Sequence, residues 1–155
     1  MLLTPHVFLG LYFVTYFNPY IGLSLAFLSH YLFDFFYPHW NPHIYTELNT
    51  LGKLTKKTML IILIDVMVAF LATIYISYTV LPDIKAVILI FLGAFLSILP
   101  DIFEIPYYFL KNKNGLLKKV ITFEHHHQAK ADGFWGVLSQ LLVISLCLWQ
   151  LYNKG

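Results

Sequence analysis

Two pairs of residues in this sequence have the types and spacing for chemistry. His30 and Asp34 stand four apart in SHYLFDFFYPHW, and Asp101 and Glu104 stand three apart in LPDIFEIPYY. On a helix, such spacings put both members of a pair on one face. Both pairs lie in apolar runs, where a carboxylate costs about 2.5 to 3.5 kcal/mol on membrane-insertion scales and faces a bundle interior or a wet cavity. Neighbouring unpaired carboxylates repel each other. A divalent cation removes both penalties, and imidazole with carboxylate is a natural shell for zinc. Asp101 or Glu104 is then a ligand or a general base. His6, Asp65, His125 and His126 are the further candidate ligands, with His127 completing a triple histidine.

Simpler roles stay open for each group. His30 with Asp34 fits an intrahelical hydrogen bond, and Asp65 a helix-packing polar residue. His39 and His43 stand beside Trp40 and Tyr45, a composition common where a helix leaves a membrane. The triple histidine fits a polar loop. Asp101 with Glu104 is hardest to explain without a ligand.

The elements that must position these groups follow from composition. Of 155 residues, 59% are hydrophobic and 12% charged, about half the charge a soluble domain carries. The apolar runs are continuous rather than alternating, which excludes a transmembrane barrel and predicts a single all-α domain over residues 1–155, an integral membrane bundle. Five segments approach the roughly 20 residues needed to cross a bilayer: Leu2 to Phe17, Pro19 to Tyr37, Thr58 to Leu81, Ile84 to Leu110 and Phe134 to Leu151. Pro100 and Pro106 predict a kink or break near the end of the fourth. Asn41 to Lys57 and Lys111 to Asp132 are expected as polar loops. The first segment lacks a basic leader and a small-residue cleavage site, so it is expected to stay as a mature helix. The lone Cys147 excludes an intrachain disulfide.

Five crossings place Lys53, Lys56, Lys57, Lys111, Lys113, Lys118, Lys119 and Lys130 on one side and only Lys85 and Lys154 on the other. The positive-inside bias assigns the N-terminus and both long loops to the cytoplasm. At about 1.5 Å per residue, His30, Asp65 and Asp101 then lie on the order of 10 to 15 Å inside the same face. No HExxH, glycine-rich phosphate loop or GxSxG elbow occurs, and no arginine is present. Nucleic acid is not an expected partner; the lysines suit anionic headgroups of the lipid bilayer.

TPH at 4–6, FLSHYLFDFFYPHW at 27–40 and GAFLSILPDIFEIPYY at 93–108 resemble the small bacterial membrane proteins known as membrane-bound metal-dependent hydrolases of the YdjM type. That family shows an early Thr-x-His, an HxxxD on one helix and a Pro-Asp in an apolar setting, and is in turn distantly similar to zinc-dependent phospholipase C. The resemblance matches His6, His30, Asp34 and Asp101 to motif positions and puts Glu104 where the family has a further acid. It lets His125 or His126 stand for a later histidine. It implies one or more zinc ions, hydrolysis of a phosphoester or phospholipid, and a bacterial inner-membrane location. The alternatives are a metal-binding or transport protein that turns nothing over, and a structural or assembly protein.

Overall fold

The computed structural model describes residues 1–109 and 114–153. The expected fourth-segment end at Leu110, and Lys111, Lys113 and Lys154, lie outside them. Within the described residues the chain is all helical, in the order α1 (Leu3–Tyr16), α2 (Pro19–Phe36), α3 (Ile44–Leu51), α4 (Lys56–Thr79), α5 (Ile84–Phe109), α6 (Gly115–His127) and α7 (Gly133–Asn153). Three helices, α4, α5 and α7, are long and apolar enough to cross a membrane. Their outward faces carry exposed Leu60, Phe70, Phe95 and Leu142, an apolar surface that suits a lipid environment.

Helix ends fall where side chains can serve the unpaired amides of a first turn. Asn18 accepts from the Ile21 N–H and is followed by Pro19 at the first helical position. Thr55 caps α4, and Asp83 Oδ1 accepts from the N–H groups of Lys85 and Ala86. Two helices, α3 and α6, occupy stretches that the sequence presents as polar loops. Glu47 in α3 accepts from the Thr55 N–H at 2.7 Å and the Thr58 hydroxyl at 2.7 Å, fastening α3 to the start of α4. These hydrogen bonds hold the Glu47 carboxyl below its usual value. The helix α5 continues through Pro100 and Pro106 rather than ending at either.

The shortest of the expected spans is central. Residues Thr4 to Leu11 of α1 are all buried, packed among α2, α4, α5 and α7. Its 14 residues rise only about 21 Å, against about 30 Å of hydrocarbon. A close crossing with α5 locks it in place. A Cβ on Gly10 would lie 2.5 Å from the Gly93 carbonyl oxygen, and one on Gly93 would lie 2.5 Å from Val14 Cγ1. Because the start of α1 is buried, its free amides need partners from elsewhere. Leu2 N–H donates to Gln140 Oε1 at 2.7 Å, Leu3 N–H to Asp65 Oδ2 at 2.6 Å and Thr4 N–H to Asp65 Oδ1 at 3.0 Å.

Candidate metal centre

The α1–α5 crossing brings three four-residue ladders together. His6 lies one turn from Gly10 on α1, Asp101 follows Gly93 and Ser97 on α5, and His30 and Asp34 follow Ala26 on α2. Gly10, Ala26, Gly93 and Ser97 are small, so the three backbones approach and their polar groups converge at one end. His6 Nε2 lies 3.2 Å from Asp34 Oδ1, His30 Nε2 lies 3.9 Å from Asp34 Oδ2, and His30 Nε2 lies 3.8 Å from Asp101 Oδ1. The rings of His6 and His30 stack at 4.1 Å. Donor atoms of His6, His30 and Asp101 all lie within 4.8 Å of one another.

A fifth group joins them from outside the helices. After Pro38 the chain runs beside residues 129–131, with His39 N–H donating to the Ala129 carbonyl and Ala131 N–H to the His39 carbonyl, each at 2.9 Å. Ala129 N–H in turn donates to the Asp34 carbonyl at 2.8 Å. His39 is thereby sunk to 1% exposure, with Nε2 at 3.7 Å from Asp34 Oδ1. Burial pulls its imidazole down to about 4. The sequence groups His39 with an interfacial cluster, and no helical spacing points from it to Asp34. What places it is the pairing with a segment 90 residues later.

The tautomers are set by backbone carbonyls. His30 Nδ1–H donates to the Ser97 carbonyl at 2.9 Å, and His39 Nδ1–H to the Tyr37 carbonyl at 2.8 Å. Each Nε2 lies near a carboxylate oxygen, so in the neutral ring its lone pair would face an acceptor, an arrangement that a cation or a proton relieves. Among the described residues, neither ring nitrogen of His6 has a hydrogen-bond partner, nor does His39 Nε2, and all are buried. The Met1 amino group lies 2.7 Å from Asp34 Oδ1, and Gln128 Nε2 lies 3.4 Å from Oδ2.

Three of these groups, His6, His30 and Asp101, could hold a metal ion. Bonds of about 2.0 to 2.2 Å at the tetrahedral angle separate two donors by about 3.3 Å, near the observed 3.2 to 3.9 Å. Histidines that hold metals characteristically give their other ring N–H to a carbonyl or carboxylate, as His30 and His39 do here.

The remaining candidates are placed elsewhere. Asp65 spends both oxygens on the first amides of α1 and takes the Thr4 hydroxyl on its own carbonyl, so it serves as a helix cap supplied by a neighbouring helix. Glu104 is hydrogen bonded to Glu124 of α6, one turn beyond Asp101 and away from the imidazoles. His125 stacks on Tyr45 at 4.0 Å, and its Nε2 accepts from Lys130 Nζ at 3.3 Å. Burial, with the Lys130 charge second, holds its imidazole below the usual value. His126 and His127 are exposed, with Nδ1–H groups donating to the carbonyls of Thr122 and Phe123.

Beside the cluster lies a cavity of about 390 Å³, into which Asp101, Glu104, His39, His125 and Lys130 project. Its lining also includes Val66 of α4 and Ile105 of α5, which are 42% and 44% exposed. The lining is thus polar in one part and apolar in another. Family models, curated proteins and solved structures were all compared with the chain, and none matches it.

Proposed function

We propose that this protein is a membrane-embedded, zinc-dependent hydrolase acting on a phosphoester, with a lipid-linked substrate entering from the bilayer. The observation that supports the reading best is the pair of imidazoles whose Nδ1–H groups are committed to carbonyls while their Nε2 atoms lie near Asp34 and Asp101. His6, His30, Asp34 and Asp101 would hold the ion, with His39 next to Asp34. Zinc in such a shell supplies Lewis-acid polarisation of a phosphoryl oxygen and makes water acidic enough to ionise near neutral pH. The side chain of Asp101 is 40% exposed and faces the cavity, so it meets both cluster and substrate. Glu104 lines the cavity beside Glu124, and a proton shared between the two carboxyl groups would be available to a leaving group there. His125, oriented by Tyr45 and Lys130, lines the same cavity. The apolar lining at Val66 and Ile105 suits an acyl or prenyl chain.

In the same reading the chain crosses the membrane five times, with α1 and α2 counted beside α4, α5 and α7, and the lysine-rich side faces the cytoplasm of a bacterial inner membrane. A transport reading has less support, because the buried polar side chains of α4 beyond Asp65 are the hydroxyls of Thr73 and Ser77.

The test is zinc content of the detergent-purified protein, followed by hydrolysis assays on phospholipids and soluble phosphodiesters, for wild type and Asp101→Asn. Bound zinc that falls in the variant, with turnover that a chelator abolishes, is the expected result. Absence of metal from the wild type, or equal content in both, defeats the metal reading; zinc without turnover of either class defeats the hydrolase.

A further inference from the structure

Helix α6 divides its surface three ways. Ile121 is 1% exposed, and Leu117, Glu124 and His125 beside it are half-buried against the bundle. Lys118, Lys119 and His126 are exposed and share a second, polar side with Thr122. The third side is apolar yet uncovered: Leu116, Val120 and Phe123 are 74%, 44% and 54% exposed. Their spacings of four and three put them in one stripe, which His127 extends by a further four, its ring 4.0 Å from that of Phe123.

This stripe is continuous with apolar surface on α2. The Phe123 ring meets the Phe35 ring edge-on at 6.1 Å, and next to Phe35 the exposed Leu32 and Phe36 (52% and 77%) carry the surface onward. In sequence, α6 stands between α5 and α7, both long and apolar enough to span. A helix held at the membrane boundary from both ends, with one apolar and one basic side, has the form of an in-plane interfacial helix.

We propose that α6 lies in the membrane interface, with Leu116, Val120 and Phe123 in the acyl boundary and Lys118 and Lys119 against anionic phospholipid headgroups. Each lysine near an anionic surface adds attraction that fades within a Debye length. The occupant is lipid rather than protein because the stripe joins the apolar exterior of α2 without a break and is flanked by like charges, which suit phosphates. The inner side of the same helix carries Glu124, bonded to Glu104, and His125, stacked on Tyr45. Seating α6 on the bilayer therefore also fixes one wall of the cavity, whether or not that cavity binds zinc.

The test uses the full chain on a Cys147→Ser background, reconstituted in phosphatidylcholine or in an equal mixture of phosphatidylcholine and phosphatidylglycerol. Nitroxides are attached in turn at Leu116→Cys, Val120→Cys, Phe123→Cys and Thr122→Cys. The expected result is high oxygen and low nickel-chelate accessibility at 116, 120 and 123, with the reverse at 122. Adding Lys118→Glu and Lys119→Glu should raise nickel-chelate accessibility of the stripe several-fold in the anionic mixture and leave it little changed in phosphatidylcholine. Nickel-chelate access to all four sites alike would overturn the interfacial placement. Exclusion of both reagents from the stripe would mean that protein covers it, including a second copy of this chain. Equal behaviour of the charge-reversed protein in both lipids would overturn the headgroup contact. None of these readouts depends on bound metal or on turnover.

Discussion

Asp65 and Asp34 are acids of the same type at the same end of the bundle, close to the same helix start, and they meet opposite fates. Asp65 faces the first turn of α1, where amides are unpaired and the helix end carries partial positive charge. Two backbone donors at 2.6 and 3.0 Å satisfy it. Asp34 faces His6, His30 and His39, two of which have Nδ1–H tied to a carbonyl, together with the Met1 amino group. Backbone amides thus answer one acid, while the other meets the Met1 amino group at 2.7 Å amid three imidazoles. A buried carboxylate is a sign of function only after its backbone donors have been counted.

Breaking each side should separate the two roles. His30→Ala removes a donor and leaves the Ser97 carbonyl without its partner; zinc affinity is expected to fall more than about 100-fold, beyond the 10- to 100-fold typical of outer partners, with helicity retained. Competition with a chelator measures this, and unchanged affinity would dissolve the contrast. Asp65→Ala should do the reverse. Losing charge-assisted bonds to two amides costs roughly 1.5 to 3 kcal/mol, lowering the unfolding midpoint in detergent while zinc content stays at the wild-type level. Loss of zinc with preserved stability would make Asp65 a ligand after all.

A smaller effect concerns His39 in the chelated protein. Burial keeps it neutral down to about 4, whereas the unfolded chain binds a proton near its ordinary value of about 6.5. The sign follows: between those values the unfolded state holds the extra proton, so stability is complete above about 6.5 and declines as pH falls toward 4. The slope from this group is at most about 1.4 kcal/mol per pH unit. His39→Gln should flatten it in pH-dependent denaturation, and an unchanged slope would show that His39 is not the group responsible. Least of all is expected from His126→Ala. Its imidazole is exposed, donates to the Thr122 carbonyl and meets the His125 ring edge-on, so stability should stay within about 0.5 kcal/mol and zinc content should not change. A measurable loss of zinc would extend the centre to α6.

Much of this was legible along the chain. The HxxxD and PDxxE spacings mark single helix faces, and the apolar runs around them dictate helices, because a segment that cannot reach water must bond its own amides. Depth grouped His30, Asp65 and Asp101, and only the family resemblance singled out His6, His30, Asp34 and Asp101. A further signal lies in the small residues one or two turns deeper, Gly10, Ala26, Gly93 and Ser97, which let three backbones meet at the polar groups. The α3 and α6 helices were not legible, since short helices of mixed polarity owe their stability to what they pack on.

By itself the sequence determined an apolar, helical, membrane-type chain with titratable groups gathered toward one end, because composition and local spacing are properties of neighbours along the chain. The tertiary structure decided which of those groups meet. It sent Asp65 to cap α1, turned Glu104 toward Glu124, left His126 outside and brought His39 in through a pairing with Lys130. These choices depend on contacts between residues tens of positions apart, set by how closely helices can cross, and no local periodicity encodes them.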